Sequence, residues 1–239
     1  MPKKTIPVKI SQKKPLSKIK ESEQNTENII KKNHNALKKD SSITLKEKLQ
    51  SDIIPHITNI TVCADLNSKL DLKSIALELP NCEYNPSKIA SLRVKLKNPK
   101  CHANIFTNGK IVCLGLKSEE QIKKALIEYG NMIKKCGYDI KLKLDEVIIT
   151  NIAASCNIKF TLPLSELYNH LKKIKEADVN IEYEKDIFPA VIYSKQIENS
   201  KMKLMIFSSG KIVITGAKKK EYIYDIFNHI YPELLKFKN

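Results

Sequence analysis

Hydrophobic and polar positions follow one order twice along the chain, after a long polar beginning. Residues 57–64 and 146–155 show the alternation of strands, and residues 71–79 and 163–174 show the apolar spacing of helices. Later in each half, two apolar runs are joined by Thr-Asn-Gly or Ser-Ser-Gly, which is turn chemistry typical of β-hairpins. Each half then closes on an amphipathic helical segment. The pattern predicts an α+β protein in which strand, helix, several strands and helix occur twice.

An internal sequence repeat supports this division. Residues 105–117 are echoed by residues 206–218, and four of the six glycines belong to these two runs. Two units follow, repeat 1 at about 55–143 and repeat 2 at about 144–239. Because two copies are too few for a solenoid, we expect a pseudo-twofold pair within one folded core.

The first 52 residues differ in composition from the rest of the chain. They hold thirteen lysines, six acidic residues and no aromatic residue, so they bury too little apolar surface to offset the entropy of ordering. Residues 1–52 are predicted to be a disordered lysine-rich tail, and residues 53–239 the core. The whole chain carries +16, with a single arginine among 42 basic residues. This charge favours a polyanionic partner, with nucleic acid the first candidate.

Several other classes of protein lack support in the sequence. No stretch approaches the roughly 18 apolar residues of a membrane-spanning helix, and the beginning has no secretory signal pattern, so an intracellular soluble protein is expected. The six cysteines form no CxxC and indicate buried thiols rather than a metal or redox pair. There is no HExxH, and Gly109-Lys110 lacks the remainder of a phosphate-binding loop. No catalytic residue, metal or cofactor is predicted.

One strand of the first repeat is apolar on both of its faces. After Gly109, Ile111 and Cys113 alternate with Val112 and Leu114. Helices are too few to cover both sides of about ten strands, so one face of the sheet is expected to lie open. Lysines fall on or beside the same strands, and an apolar floor with a basic rim suits the DNA minor groove. A sandwich or closed barrel with two buried faces is the alternative.

The folded part carries motifs that together resemble the core of the TATA-box-binding protein (TBP) family. They occur in the family's order: Leu70-Asp71-Leu72-Lys73, Glu83-Tyr84-Asn85-Pro86, Ser118-Glu119-Glu120-Gln121, Phe188-Pro189, Ile192-Tyr193 and Ile230-Tyr231-Pro232. The resemblance implies a TBP-like saddle, in which two α/β repeats form one curved antiparallel sheet with helices on the convex face. It also implies that the concave face binds and bends the minor groove, for which this family is a standard example.

The resemblance implies two sets of contacts with the bases. Asn59 and Asn151 match a pair of asparagines that donate to minor-groove acceptors, a contact that the guanine N2 amine would obstruct. An asparagine that caps a strand end is the alternative for either residue. Three of four wedging phenylalanines are matched, and isoleucine, which buries less area than a ring, stands at the fourth position. The wedge positions are Phe106, Phe188, Phe207 and Ile89.

The predicted groove floor departs from the family pattern. Its matching residues are Val112, Val213 and Thr215. In the first repeat, Leu114 occupies the position equivalent to Thr215, and its side chain has no hydrogen-bond donor. Thr61 and Ala153 stand where the family usually has valine. These departures leave open whether a strict TATA sequence is preferred.

The resemblance also implies phosphate and partner contacts. The predicted phosphate-facing residues are Lys88, Lys95, Lys100, Lys110 and Lys211. Because lysine lacks the bidentate fork of arginine, the affinity should depend steeply on salt. Glu184, Asp186 and Ile187 lie in a loop that contacts general transcription factor B in the family, and they are the predicted partner-binding residues.

The function that the resemblance implies is that of a non-enzymatic, nuclear general transcription initiation factor. It would bind and bend TATA or A·T-rich promoter DNA and nucleate the preinitiation complex. Its partners would be double-stranded DNA, general transcription factors A and B and TBP-associated factors, with a homodimer through the concave face when DNA is absent. Two alternatives stay open: a TBP-related paralogue with altered or relaxed DNA specificity, and a DNA-processing enzyme, because a similar half-saddle occurs in some DNA glycosylases and ribonucleases.

Overall fold

The computed structural model describes residues 53–174, 176 and 178–238. The predicted tail, residues 1–52, lies outside the described residues. The elements run in the order β1 (His56–Asp65), α1 (Leu72–Glu78), β2 (Cys82–Tyr84), β3 (Leu92–Leu96), β4 (Cys101–Ile105), β5 (Lys110–Leu116), α2 (Glu119–Lys135), β6 (Ile148–Asn157), α3 (Leu164–Lys173), β7 (Val179–Glu182), β8 (Ala190–Ile197), β9 (Ser200–Phe207), β10 (Lys211–Ala217) and α4 (Glu221–Leu235).

The strands form one ten-stranded antiparallel sheet in the order β2-β3-β4-β5-β1-β6-β10-β9-β8-β7. Five strands of the first repeat therefore occupy one half of the sheet, and five strands of the second repeat occupy the other half. The two halves meet where β1 pairs with β6, with Ile60 opposite Ile152 and Thr61 opposite Asn151. The predicted α+β fold class, one antiparallel sheet of about ten strands with helices, is confirmed.

The helices bury one face of this sheet. Along β1, Ile60 and Val62 are fully buried and join one hydrophobic core with helix residues such as Tyr129 and Ile223. The intervening side chains of β1 remain half-exposed. Because the described residues cover only one face and the sheet ends in two edge strands, β2 and β7, the sandwich and closed-barrel alternatives are wrong for this part of the chain.

Local side-chain chemistry begins the helices of the first repeat. The Oδ1 atom of Asp71 accepts the backbone N–H of Lys73 at 3.0 Å and starts α1. The Oγ atom of Ser118 accepts the N–H of Gln121 at 3.2 Å and starts α2. Each contact satisfies an amide that has no partner within its own helix. The helix α1 starts within a residue of the predicted range, 71–79.

The two hairpins that lead into β5 and β10 require glycine. Gly109 and Gly210 have φ values of +85° and +79°, which L-residues with a side chain rarely adopt. A Cβ atom would lie 2.3 Å from the carbonyl oxygen of Ser68 at Gly109 and 2.3 Å from that of Phe160 at Gly210. The same backbone geometry therefore recurs at the matched glycines of the sequence repeat.

Candidate nucleic-acid interface

The face of the sheet that the helices leave uncovered, here called the open face, is lined by every second residue of the central strands. The predicted floor residues Asn59, Thr61, Val112, Leu114, Asn151, Ala153, Val213 and Thr215 all lie there and are half-exposed. The residues between them in the same strands point into the core. The structure thus brings the predicted floor residues of both repeats together on one surface.

A β-bulge fixes the orientation of each central asparagine. The register of β5 and β10 shifts beside these residues. There the backbone N–H of Gly115 donates to Asn59 Oδ1 at 2.7 Å, and that of Gly216 donates to Asn151 Oδ1 at 2.8 Å. Because an N–H must meet an oxygen, the amide orientation follows from chemistry. Both asparagines therefore support the backbone with Oδ1 and keep Nδ2 for another acceptor.

The hydroxyl groups beside the two asparagines are arranged differently in the two repeats. In the second repeat, Thr215 Oγ1 donates to Asn151 Oδ1 at 3.2 Å, and Asn151 Nδ2 has no hydrogen-bond partner among the described residues. In the first repeat, Asn59 Nδ2 donates to Thr61 Oγ1 at 3.2 Å, which leaves the Thr61 hydroxyl hydrogen to donate elsewhere. Thr61 therefore supplies a hydroxyl to the half of the floor in which Leu114 has none.

The four predicted wedge positions lie toward the two ends of the open face. Phe188 and Phe207 form an edge-to-face pair with ring centroids 6.0 Å apart, and Phe188 is 36% exposed. In the first repeat, Ile89 is 58% exposed, and Phe106 has no aromatic partner within the described residues. The second-repeat end therefore presents an aromatic pair, and the first-repeat end presents one ring and one smaller side chain.

Basic residues lie on or beside the strands that form this surface. All five predicted phosphate-facing lysines are exposed: Lys88, Lys95, Lys100, Lys110 and Lys211. One of them has an internal partner, because Lys95 Nζ lies 2.6 Å from Glu83 Oε1. That hydrogen bond is the largest cause of the lowered pKa of Glu83. Exposed pairs of this kind are weak, so a phosphate can compete for Lys95.

The predicted partner loop lies between β7 and β8. Glu184, Asp186 and Ile187 are exposed, and Ile187 is 78% exposed, among the largest values for an apolar side chain in the described residues. The carbonyl oxygen of Glu184 accepts the N–H groups of Ile187 and Phe188, both at 2.9 Å. This tight turn joins the predicted partner loop directly to Phe188, one of the predicted wedge positions.

Sequence reasoning missed several residues of the open face, among them a polar group on two neighbouring strands of the first repeat. Arg93, His102 and Asn104 project from β3 and β4, where Arg93 pairs with Asn104 and Asn104 pairs with Val112. Burial, followed by the charges of Arg93 and Lys95, lowers the pKa of His102. Their alternation with buried Leu92 and Val94 was the available signal, but only strand pairing places them beside the floor.

Three further observations concern reactive thiols, metal sites and membrane-spanning helices. All the cysteines are free, and burial raises the pKa of Cys156 to about 12. Among the described residues, no group of three or more histidine, cysteine, aspartate or glutamate side chains is arranged to hold a metal ion. In the same part of the chain, no helix has the length and apolar character needed to cross a membrane.

These features describe a two-repeat α+β protein with one uncovered sheet face, paired asparagines at the centre of that face, apolar side chains toward its ends and exposed lysines on or beside its strands. A family model described as transcription factor TFIID, or TATA-binding protein, matches residues 54–136 and 146–237. The chain therefore belongs to the TATA-binding protein family.

Individual relatives cover most of the chain. TATA-box-binding protein 2 of Arabidopsis thaliana is 42% identical over 192 residues, which is 80% of this chain and 90% of the relative. TATA-box-binding protein of Tetrahymena thermophila is 40% identical over 194 residues, or 81% of this chain and 75% of the relative. The solved TBP of Methanococcus jannaschii superposes with a TM-score of 0.62 at 28% identity, covering 77% of this chain and 99% of that one.

Proposed function

We propose that this protein is a non-enzymatic transcription initiation factor that binds the minor groove of promoter DNA with its open face and bends the DNA at TATA or A·T-rich elements. The observation that carries the proposal is the composition of that face. Two asparagines are held on bulges at its centre, apolar side chains form its floor and ends, and lysines surround it. The names of the relatives, TATA-box-binding proteins, support the same function.

Each part of the face has a separate task in this mechanism. The Nδ2 groups of Asn59 and Asn151 donate to adenine N3 or thymine O2, and a guanine amine at the same place would be left unpaired and would clash. Phe188 and Phe207 insert at one end of the site, where unstacking a base step costs a few kcal/mol that the added apolar contact offsets. The lysines neutralise phosphates and make the affinity depend on salt.

The same proposal assigns a nuclear location and a role in assembling the preinitiation complex. Glu184, Asp186 and Ile187 form the surface for general transcription factor B, because they combine two carboxylates with an exposed apolar side chain. General transcription factor A and TBP-associated factors would bind elsewhere. Without DNA, the apolar open face is the surface through which two copies of the chain would associate.

A second function has its own supporting observation. The first repeat has no hydroxyl at Leu114, the position equivalent to Thr215, but it has one at Thr61, which accepts a hydrogen bond from Asn59. A donor in a new place changes which base pairs satisfy the floor. This favours a TBP-related paralogue with altered or relaxed specificity as the alternative to a strictly TATA-dependent factor.

The experiment that tests the DNA proposal measures bending by fluorescence transfer between the two ends of a short duplex. A TATA duplex, a scrambled A·T-rich duplex and a G·C-rich duplex are compared over a salt series. Bending of the TATA duplex alone supports the promoter factor, and equal bending of both A·T-rich duplexes supports the paralogue. Bending of none of the three contradicts both.

A pair of variants tests the position of the wedge. Phe188→Ala should reduce bending strongly while the protein remains folded, because the ring is partly exposed and belongs to the open face. Tyr224→Ala is the matched control, since Tyr224 is 40% exposed but lies on α4. Equal bending by the two variants would show that Phe188 does not enter the DNA.

The partner surface is tested by charge reversal. Glu184→Lys with Asp186→Lys should weaken binding of general transcription factor B to the protein–DNA complex without reducing DNA binding. Glu120→Lys with Glu128→Lys, on exposed positions of α2, changes the net charge by the same amount. Loss of the partner with both pairs, or with neither pair, would contradict the assignment of this loop.

A further inference from the structure

The two ends of the open face differ in polarity at equivalent positions. Arg93 pairs with Asn104 between β3 and β4, and Ile192 pairs with Met205 between β8 and β9. In each repeat the neighbouring pair in the register is buried and apolar. The two open-face pairs are therefore equivalent under the pseudo-twofold relation, and a polar pair in the first repeat replaces an apolar pair in the second.

The guanidinium group of Arg93 is available for a ligand. Arg93 is the chain's single arginine, it is half-buried, and it forms no hydrogen bond or ion pair with any residue that the structure describes. The Glu83 carboxylate lies opposite Arg93 in the β2–β3 register and interacts with it through charge alone, and it accepts a hydrogen bond from Lys95 at 2.6 Å. Asn104 likewise has no side-chain hydrogen bond within the described residues. Donors with unused hydrogen-bonding capacity thus lie side by side on the open face.

These two residues line an open cleft of about 470 Å³ at the first-repeat end. Lys88 and the wedge residue Ile89 also line it, and its one acidic residue is Glu83, whose carboxylate is engaged by Lys95. The cleft therefore combines the guanidinium group of Arg93, the amide donors of Asn104, and the side chain of Ile89, a predicted wedge residue that is smaller than phenylalanine. It matches a ligand that carries hydrogen-bond acceptors within a strongly negative surface, as the edges of bases in the minor groove do.

We propose that Arg93 and Asn104 form a base-reading site that donates hydrogen bonds to minor-groove acceptors at the first-repeat end of the bound DNA. The site rests on the proposed DNA-binding function and adds a specificity determinant to it. Recognition at this end then depends on hydrogen bonds and charge, whereas recognition at the second-repeat end depends on insertion of Phe188 and Phe207.

This difference orients the protein on an asymmetric site. A narrow A-tract groove concentrates negative potential and attracts arginine, whereas pyrimidine–purine steps such as TA unstack easily. The first-repeat end should therefore lie over the A-tract half of a duplex, and the aromatic end over the half that contains TA steps.

The test uses the full chain and a duplex with TA steps in one half and an A-tract in the other. Replacing adenine by 3-deazaadenine removes the N3 acceptor without adding an amine. The replacement is made only at the outer base pairs of one half at a time, so the central acceptors assigned to Asn59 and Asn151 stay in place. Dissociation constants are measured by fluorescence anisotropy. For the parent protein, we expect removal of acceptors in the A-tract half to weaken binding about tenfold, the usual scale for loss of a good base contact.

The double variant Arg93→Ile with Asn104→Met installs the residues of the second repeat. It should lose the sensitivity to 3-deazaadenine in the A-tract half and keep the sensitivity in the other half. Lys123→Ile with Asn131→Met removes one charge and one amide from exposed positions of α2. It is the matched control and should keep both sensitivities. Thermal unfolding of each variant establishes that the sheet is intact, and Arg93→Lys tests whether charge alone suffices.

The outcomes separate this inference from the proposed function. If the parent protein binds no A·T-rich duplex, the proposed function itself fails. If the parent binds but the double variant keeps the parent's pattern of sensitivity, only the base-reading site is overturned. The site would also be overturned if the double variant bound every duplex more weakly by the same factor and the slope of log affinity against log salt fell by about the value of one phosphate contact. Arg93 would then contact phosphate and not a base.

Discussion

Replacing Asn151 by aspartate should separate the two tasks of this side chain, support of the bulge and donation to DNA. In the parent protein, Asn151 Oδ1 accepts the N–H of Gly216 at 2.8 Å and the hydroxyl of Thr215 at 3.2 Å. An aspartate of nearly the same shape keeps both acceptor contacts. It loses the Nδ2 donor and presents a second oxygen in its place.

The magnitudes of the two effects differ. Hydrogen bonds to a charged acceptor contribute somewhat more than neutral ones, which offsets the desolvation of a half-exposed charge, so unfolding free energy should change by about 1 kcal/mol or less. Loss of the donor to a base should cost about 1–3 kcal/mol of binding, and the new charge adds repulsion from the phosphates. Together these effects should weaken DNA binding by about a hundredfold or more. Asn151→Ala, in contrast, leaves the Gly216 N–H unpaired and should destabilise the fold by about 1–3 kcal/mol.

Two measurements on the same preparations check this reasoning. Urea unfolding reports stability, and end-labelled fluorescence transfer on a TATA duplex reports binding and bending. Asn228→Asp adds the same charge on an exposed position of α4 and is the control for net charge. If Asn151→Asp bound and bent DNA as the parent does, the amide would not face the DNA, and the orientation of the open face in the proposed complex would be wrong.

Three further predictions concern the backbone, the thiols and acid stability. Gly216→Ala should destabilise the protein by about 1–3 kcal/mol more than Gly115→Ala, as measured by urea unfolding. A Cβ atom at Gly216 would lie 2.2 Å from a backbone oxygen, whereas the nearest atom to a Cβ at Gly115 would be 3.3 Å away. DNA should slow alkylation of Cys63, which lies on the open face, but not of Cys136, which packs against the core; equal protection by mass spectrometry would contradict this. Hydrogen bonds from a lysine and then a histidine lower the pKa of Glu233 below 4.5, so its contribution to stability is present above that pH and lost below it. Glu233→Gln should therefore make the free energy of unfolding depend less on pH in the acid range. An unchanged pH dependence would show that the hydrogen bonds of Glu233 do not contribute to acid stability.

The large elements of this protein follow from local patterns. Alternating residues predicted β1 and β6 to within about two residues of their observed ends, and the spacing of apolar residues did the same for α1 and α3. The internal repeat predicted two halves, and the sheet has five strands in each. Such features depend on neighbours within a few positions, which is why they can be read from the chain directly.

The chemistry of the open face depends on contacts that are distant in sequence. Asn59 meets Gly115 across 56 positions, and Asn151 meets Gly216 across 65. Sequence similarity indicated the asparagines as donors, but their second task, support of the bulges, is visible only from the register of β5 and β10. The same holds for Thr61, whose apparent departure from the family pattern becomes a hydroxyl bonded to Asn59.

Local patterns along the chain thus predicted the opening strands, the hairpins, the helices, the repeat and the alternation that divides core from open face. Contacts between distant parts of the chain fix which face the helices cover, which way each asparagine amide points, and the pairing of Arg93 with Asn104. The physical reason is that period-two alternation assigns a side chain to one of two faces, whereas its neighbours on that face are set by strand order and register. A bulge of one residue changes those neighbours without leaving a reliable mark in the hydrophobic pattern.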